Sequence, residues 1–209
     1  MSKKTPRFVE NFVGDYIGNT REEFTQNLTR NMKRAHEFLD MCDSDLSYAR
    51  KQLELQDSPE ARRLWIRTIP PWVEGNLSFL RVTPYLYPPL LDRVPDDVKI
   101  LFAETILPIH NKSSAKDTVK KTLTGIGKVA GLEISPNLMG ETGAQALMNT
   151  FETRDGLMHP RSVEGYLVSD ENLKLSYDGV DWFNHKFAAV FPPMIEVIKE
   201  MIENSSDGI

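Results

Sequence analysis

A chain of 209 residues, 40% hydrophobic and 26% charged, is long and apolar enough to bury a sizeable core as one domain, which excludes an intrinsically disordered chain. One cysteine, Cys42, excludes an internal disulfide, and without a Cys/His cluster the four histidines do not make a structural zinc site. A formal net charge of −5 argues against coating nucleic acid by bulk electrostatics, so any such role has to be local.

The start, MSKKTPRFVENF, has neither the apolar core nor the small-residue cleavage site of a signal peptide. No stretch approaches the roughly 18 apolar residues of a membrane span. The expectation is a cytoplasmic chain with no membrane partner, divided into an arm (1–19), a single helical domain (20–204) and a tail (205–209).

Residues 20–56 open with Thr20 as N-cap and Glu22 and Glu23 in the first turn. Phe24, Leu28, Met32, Ala35, Leu39, Cys42, Leu46, Ala49 and Leu53 then recur at three- and four-residue steps, the stripe of a long amphipathic helix. Ser58-Pro59-Glu60 predicts a second helix start, with serine as cap and proline at the first helical position. That helix carries Leu64, Trp65, Ile69, Val73, Leu77 and Leu80, and Pro70-Pro71 should kink or interrupt it. The proline-punctuated segment 83–95 reads as an irregular connection, and 96–107 as a short helix.

Val119, Leu123, Ile126 and Val129 predict an amphipathic helix within 113–131, with Lys116, Lys120, Lys121 and Lys128 largely off its apolar stripe. Those lysines suit RNA phosphates if they line a binding groove, and otherwise make a solvated helix face. A fourth main helix starts near Glu141 and carries Ala144, Leu147, Met148, Phe151 and Leu157. The last begins near Asp170, breaks at Pro192-Pro193 and resumes through Ile195, Ile198 and Ile202. With no sustained strand alternation, the sum is an all-α bundle of four main helices with extra short helices, kinked at its Pro-Pro pairs.

The stretch RDGLMHP, residues 154–160, carries the chemistry. On a helix Asp155 and His159 share a face, so the carboxylate can accept the imidazole N–H and fix its tautomer. Pro160 disfavours helical geometry at His159 and sets the ring at a helix C-terminus. Arg154 stands five residues back, about 7.5 Å along the axis and about 140° around it. One helix therefore aims Arg154 and His159 apart, and a two-fold axis would bring one arginine beside the other histidine. Gly156, about 1 kcal/mol poorer in a helix than alanine, makes sense where another backbone approaches closely. An arginine and a histidine without metal ligands suit cleavage of RNA by its own 2′-hydroxyl: histidine moves the proton and the guanidinium holds the crowded phosphate.

The spacing alone is a weak motif, since 12 arginines and 4 histidines give such a pair by chance about once in two such sequences. RNMKRAH (30–36) repeats it on the first helix with no terminus to present the ring, so His36 reads as a helix-surface residue. TGIGKVAG (124–131) lacks the spacing and preceding strand of a phosphate loop. Trp65, Trp72 and Trp182 occupy apolar helical positions and read as core. His110 reads as a loop residue, His185 as an exposed one, and Cys42 as a buried small residue with nothing to activate it.

RDGLMHP resembles the signature of the HEPN superfamily (higher eukaryotes and prokaryotes nucleotide-binding domains). There an arginine, a polar residue, three variable residues and a histidine lie near the end of a bundle helix, often followed by proline. RRLWIRTIPPWVEGNLSFL (62–80) is similar to the family's earlier helix, and RSVEGYLVSDENL (161–173) to the segment that follows its His-Pro pair. The resemblance implies a HEPN-like bundle over 20–204 and a metal-independent endoribonuclease without cofactor. It further implies a homodimer with paired motifs at the dyad, commonly a toxin or defence effector, with RNA as substrate and a separate antitoxin or regulatory protein as possible partner. Carried over, Arg154 would stabilise the phosphate, Asp155 would orient, His159 would act as general base or acid, and Glu74 would support. The alternative is a catalytically inactive helical module that binds a protein partner or a nucleotide.

Overall fold

Serines open the helices. In the computed structural model, which describes residues 21–86, 88–96, 98–99, 114–160, 162 and 164–206, the hydroxyl of Ser58 accepts from the backbone N–H of Ala61 at 3.2 Å and that of Ser114 from Asp117 at 3.1 Å. Ser169 accepts from Asn172 N–H at 3.1 Å while Asn172 Oδ1 accepts from Ser169 N–H at 3.3 Å, a reciprocal capping box. The caps delimit α2 (Pro59–Leu86), α3 (Ala115–Val129) and α5 (Asp170–Ser206), which join α1 (Arg21–Leu55) and α4 (Thr142–Met158). Short 3-10 turns stand at Pro88–Arg93, Leu138–Gly140 and Glu164–Tyr166, and the described residues contain no strand. The chain is all-α, as its periodicity requires.

The centre of the bundle is α2, which packs against all four other helices. Trp65, Ile66, Ile69, Val73, Leu77 and Leu80 bury its inner face. Cys42, Ala49 and Leu53 of α1 close over one side of it, and Gly75 permits that approach: a Cβ there would stand 2.9 Å from Cys42 Sγ. The tightest pairing is α4 with α5. A Cβ on Gly179 would meet the backbone of Leu147 at 2.7 Å, and one on Gly143 the Cβ of Trp182 at 2.4 Å. All three tryptophans are core, and each satisfies its indole N–H, on Ser176, Asp43 and Glu141 respectively.

Three expectations change. Pro70-Pro71 does not interrupt α2, and Pro192-Pro193 does not break α5, since both helices run through their proline pairs. An interior proline costs about 3 kcal/mol. Around Pro70 the burial of Ile69, Trp72 and Val73, at roughly 1.5–3 kcal/mol each, offsets it. The segment 83–95 is also more ordered than an irregular connection, because α2 continues to Leu86 and a 3-10 turn follows. At the other end α5 reaches Ser206, so helix extends into the expected tail. Thr20 as N-cap, the arm, His110 and most of the 96–107 helix lie outside the described residues. So do the side chains of Phe24, Leu28, Met32 and Ala35. No helix among the described residues is long and apolar enough to cross a membrane.

Candidate functional site

The motif falls at the C-terminal end of α4, which closes at Met158 with His159 as C-cap. Leu157 is buried in the core and anchors this end, while Asp155, Gly156, Met158 and His159 are exposed and Arg154 is half-buried. Burial of one residue in this turn fixes the helix end and leaves the polar residues free to face outward.

His159 keeps one helical bond, from its backbone N–H to the carbonyl of Asp155 at 3.0 Å, but its φ of −130° and ψ of 59° have left helical geometry. Pro160 is the reason, since its ring disfavours the α region at the preceding residue. This departure removes the imidazole from the face it would share with Asp155. The Asp155 carboxylate instead accepts from Arg154 Nη1 at 2.9 Å, and the His159 ring makes no hydrogen bond among the described residues. The expected orientation of His159 by Asp155 is therefore not what a single chain contains; Asp155 positions Arg154. With side chains 37% and 70% exposed, that ion pair is a surface one of about 0.2–1 kcal/mol, easily given up to a competing anion.

Gly156 faces open space, since nothing would lie within 4 Å of an added Cβ. The close backbone approach that its presence suggests is thus not made among the described residues.

The other sequence-derived candidates lie elsewhere. Glu74 is exposed on α2 about 10 Å along the axis from Arg67 and makes no hydrogen bond or ion pair among the described residues. Lys116 and Lys120 are exposed and Lys121 is half-buried on α3. That helix packs on α2, α5 and the turns at 88–93 and 138–140, and α4 is not among its main partners. Packing of one chain therefore does not carry these lysines to the end of α4. His36 is exposed on α1, and His185, also exposed, places Nδ1 2.7 Å from the backbone oxygen of Asp181. Cys42 is buried; burial, with Asp43 and Asp45 nearby, pushes its thiol pKa up, the opposite of what a nucleophile needs.

Three arginines of α2 hold the motif and the segment that follows it. Arg62 bonds Asp57, the carbonyl of Val168 and, at 2.6 Å, Asp170, and the two carboxylates raise its pKa. Arg63 donates to the carbonyl of Tyr166 at 3.5 Å and lies over the tyrosine ring. Arg67 donates to the carbonyl of Leu157 at 3.4 Å, one of the carbonyls a helix end leaves without an intrahelical donor. Its Nε is buried without a partner. Arg67 is the cationic side chain that the structure brings to the motif and the sequence does not single out. In RRLWIR it is one basic residue among three, and its carbonyl partner is 90 residues away.

Large hydrophobic side chains are exposed on α1, on α2 and around the motif. Phe38, Met41, Tyr48 and Leu55 belong to α1, Leu64 to α2, and Met158, Tyr166 and Leu167 to the end of α4 and the segment after it; α3 and α5 have none among the described residues. Met41, Tyr48 and Leu55 are spaced by seven, a single stripe on one flank of α1. Among the described residues no three of His, Cys, Asp and Glu gather so as to hold a metal ion. Set beside known proteins, the chain matches no family model, no curated protein and no solved structure.

Proposed function

We propose that the protein is a metal-independent endoribonuclease of HEPN type, acting on RNA as a homodimer and serving as a toxin or defence effector. The observation that carries this reading is an exposed imidazole that has no hydrogen-bond partner among the described residues, on the cap of the same helix end as a guanidinium held among them only by a surface carboxylate.

The chemistry follows from those two groups. His159 takes the proton of a ribose 2′-hydroxyl, O2′ attacks the adjacent phosphorus, and the P–O5′ bond breaks to leave a 2′,3′-cyclic phosphate. The leaving O5′ takes up a proton from the second acid/base group at the seam, the partner copy of the same imidazole. Proton transfer of this kind contributes about 10²–10⁴-fold. Arg154 exchanges Asp155 for the phosphate, whose charge rises as the fifth oxygen bonds. DNA, lacking the 2′-hydroxyl, is not cut.

Two features favour a two-fold seam at this corner. Met158, Tyr166 and Leu167 expose apolar surface at and just after the end of α4, as at the interfaces of self-associating proteins. An exposed glycine in a helix also leaves room for a second backbone.

The test is incubation of purified protein with single-stranded RNA in EDTA near neutral pH, comparing wild type with His159→Ala and Arg154→Ala. Cleavage by wild type alone, with a dimer by light scattering, is expected. Intact RNA in all three samples overturns the enzyme and leaves a helical module that binds a partner, a reading that the apolar stripe on α1 favours.

A further inference from the structure

Between α1 and α2, next to the candidate catalytic corner, lies an open groove of about 410 Å³ lined by Asp45, Tyr48, Leu64, Arg67, Pro71 and Trp72, among others. It falls in the volume range of small-molecule sites. Thr68 Oγ1, the Trp72 indole and the Cys42 thiol of its lining already donate, to Leu64, Asp43 and Pro71, and its charged groups and the Tyr48 hydroxyl remain. Asp45 makes no hydrogen bond or ion pair among the described residues, and neither does the Tyr48 hydroxyl. Arg67 has one long bond, to the Leu157 carbonyl, and its Nε is buried without a partner. A carboxylate and a guanidinium thus line one groove more than 4.0 Å apart, since no ion pair forms between them. Opposite charges left unpaired over an intervening space fit a ligand that offers donors to one side and acceptors to the other.

Tyr48 supplies a third element. Its side chain lines the groove and is 59% exposed, a large ring without a ring partner among the described residues. Single-stranded RNA is recognised by splayed bases that stack on such rings and bond through their edges. Of the four bases, guanine alone offers a carboxylate two adjacent N–H donors, N1–H and N2–H, while presenting O6 and N7 as acceptors to a guanidinium.

We infer that this groove is a subsite for one unpaired guanine of the RNA substrate: Asp45 accepts from its N1–H and N2–H, Arg67 donates to its acceptor edge, and Tyr48 stacks on its face. The inference rests on the ribonuclease reading and gives that reading a sequence preference. Arg67 joins the two places physically, because the carbonyl it holds belongs to Leu157 and His159 follows within ~7 Å of chain. The base next to the cleaved linkage is then the base that is read.

The experiment titrates the full chain with guanosine, adenosine, cytidine and uridine 5′-monophosphates by calorimetry, and separately compares cleavage of oligoribonucleotides that contain or lack a single guanine. Guanosine monophosphate should bind at least about fivefold more tightly than the other three, the discrimination of one bidentate contact. Asp45→Asn should erase that preference. Because Asp45 has no hydrogen-bond or ion-pair partner among the described residues, a circular dichroism spectrum and thermal midpoint like wild type separate lost recognition from lost structure. Tyr48→Ala should weaken all four ligands about equally. His159→Ala should leave guanosine monophosphate binding intact while cleavage is lost. Equal binding of the four nucleotides, no binding of any, or a preference that survives Asp45→Asn overturns the subsite whether or not RNA is cut. Intact RNA with a guanine preference that Asp45→Asn removes instead overturns the nuclease and keeps the groove.

Discussion

At its N-terminal end α4 is closed in. Gly143 lies against Trp182, and Glu141 accepts from the Trp182 indole at 2.7 Å and from Lys186 at 3.0 Å. At its C-terminal end, four turns on, Gly156 faces open space, Met158 is 47% exposed, and the ring of His159 has no hydrogen-bond partner among the described residues. The same residue type, glycine, is a packing requirement at one end and an unexplained cost at the other. Stability accounts for the first end. The second carries a poor helix former, exposed apolar surface and an unpaired imidazole, features that lower stability or leave it unchanged and that a binding or catalytic surface requires.

The widest separation between the two ends comes from removing the imidazole. His159→Ala should lower RNA cleavage by about 10²–10⁴-fold and leave the unfolding free energy within about 0.5 kcal/mol, because an exposed side chain without partners contributes little to folding. Single-turnover cleavage and urea denaturation of the same preparations measure both. A large loss of stability would instead place His159 in the structure's own framework.

Next in size is the closed pairing of α4 with α5. Gly179→Ala sets a methyl 2.7 Å from the Leu147 backbone, which cannot yield as a flexible side chain can. The expected cost is about 1–3 kcal/mol by urea denaturation. An unchanged midpoint would mean that the two helices are not held so closely.

How much of this was legible in the sequence depended on whether the deciding contact was local. Ser58, Pro59 and the Val119-Leu123-Ile126-Val129 stripe located α2 and α3 because caps and periodicity act within a few residues. Pro70-Pro71 does not interrupt α2, because the backbone penalty is local while the burial that offsets it comes from α1, α4 and α5. In the site, the position of His159 at a helix end was readable from Pro160. Its separation from Asp155 followed from the same proline, since the four-residue rule presumes helical geometry that Pro160 removes. Arg67 was not readable, because nothing near it in sequence names the carbonyl of Leu157 as its acceptor.

A smaller effect tests the closed end by pH. Lys186 first, and then the Trp182 indole, hold the Glu141 carboxyl below the ordinary carboxylate range. Its proton therefore binds more tightly to the unfolded chain, so this contribution is complete above about pH 4.3, the unfolded value, and is lost as pH falls through the lower folded value. Glu141→Gln should cost no more than about 1 kcal/mol near neutral pH, and the difference from wild type should shrink as the pH falls below the ordinary carboxylate range. A difference that persists in acid would assign it to side-chain shape rather than charge.

The smallest effect returns to the open end and has two signs. Within one chain Gly156→Ala adds a methyl into empty space on a helix, which should raise the unfolding free energy by about 0.5–1 kcal/mol. In a seam where a second backbone approaches Gly156, the same methyl holds the two copies apart. The expected outcome is therefore a chain that is more stable as a monomer, dimerises more weakly by light scattering and cleaves RNA more slowly at low protein concentration. A variant that gains stability while keeping both dimer and cleavage would move the seam away from this glycine. The apolar stripe of Met41, Tyr48 and Leu55 on α1 would then be the surface left to form it.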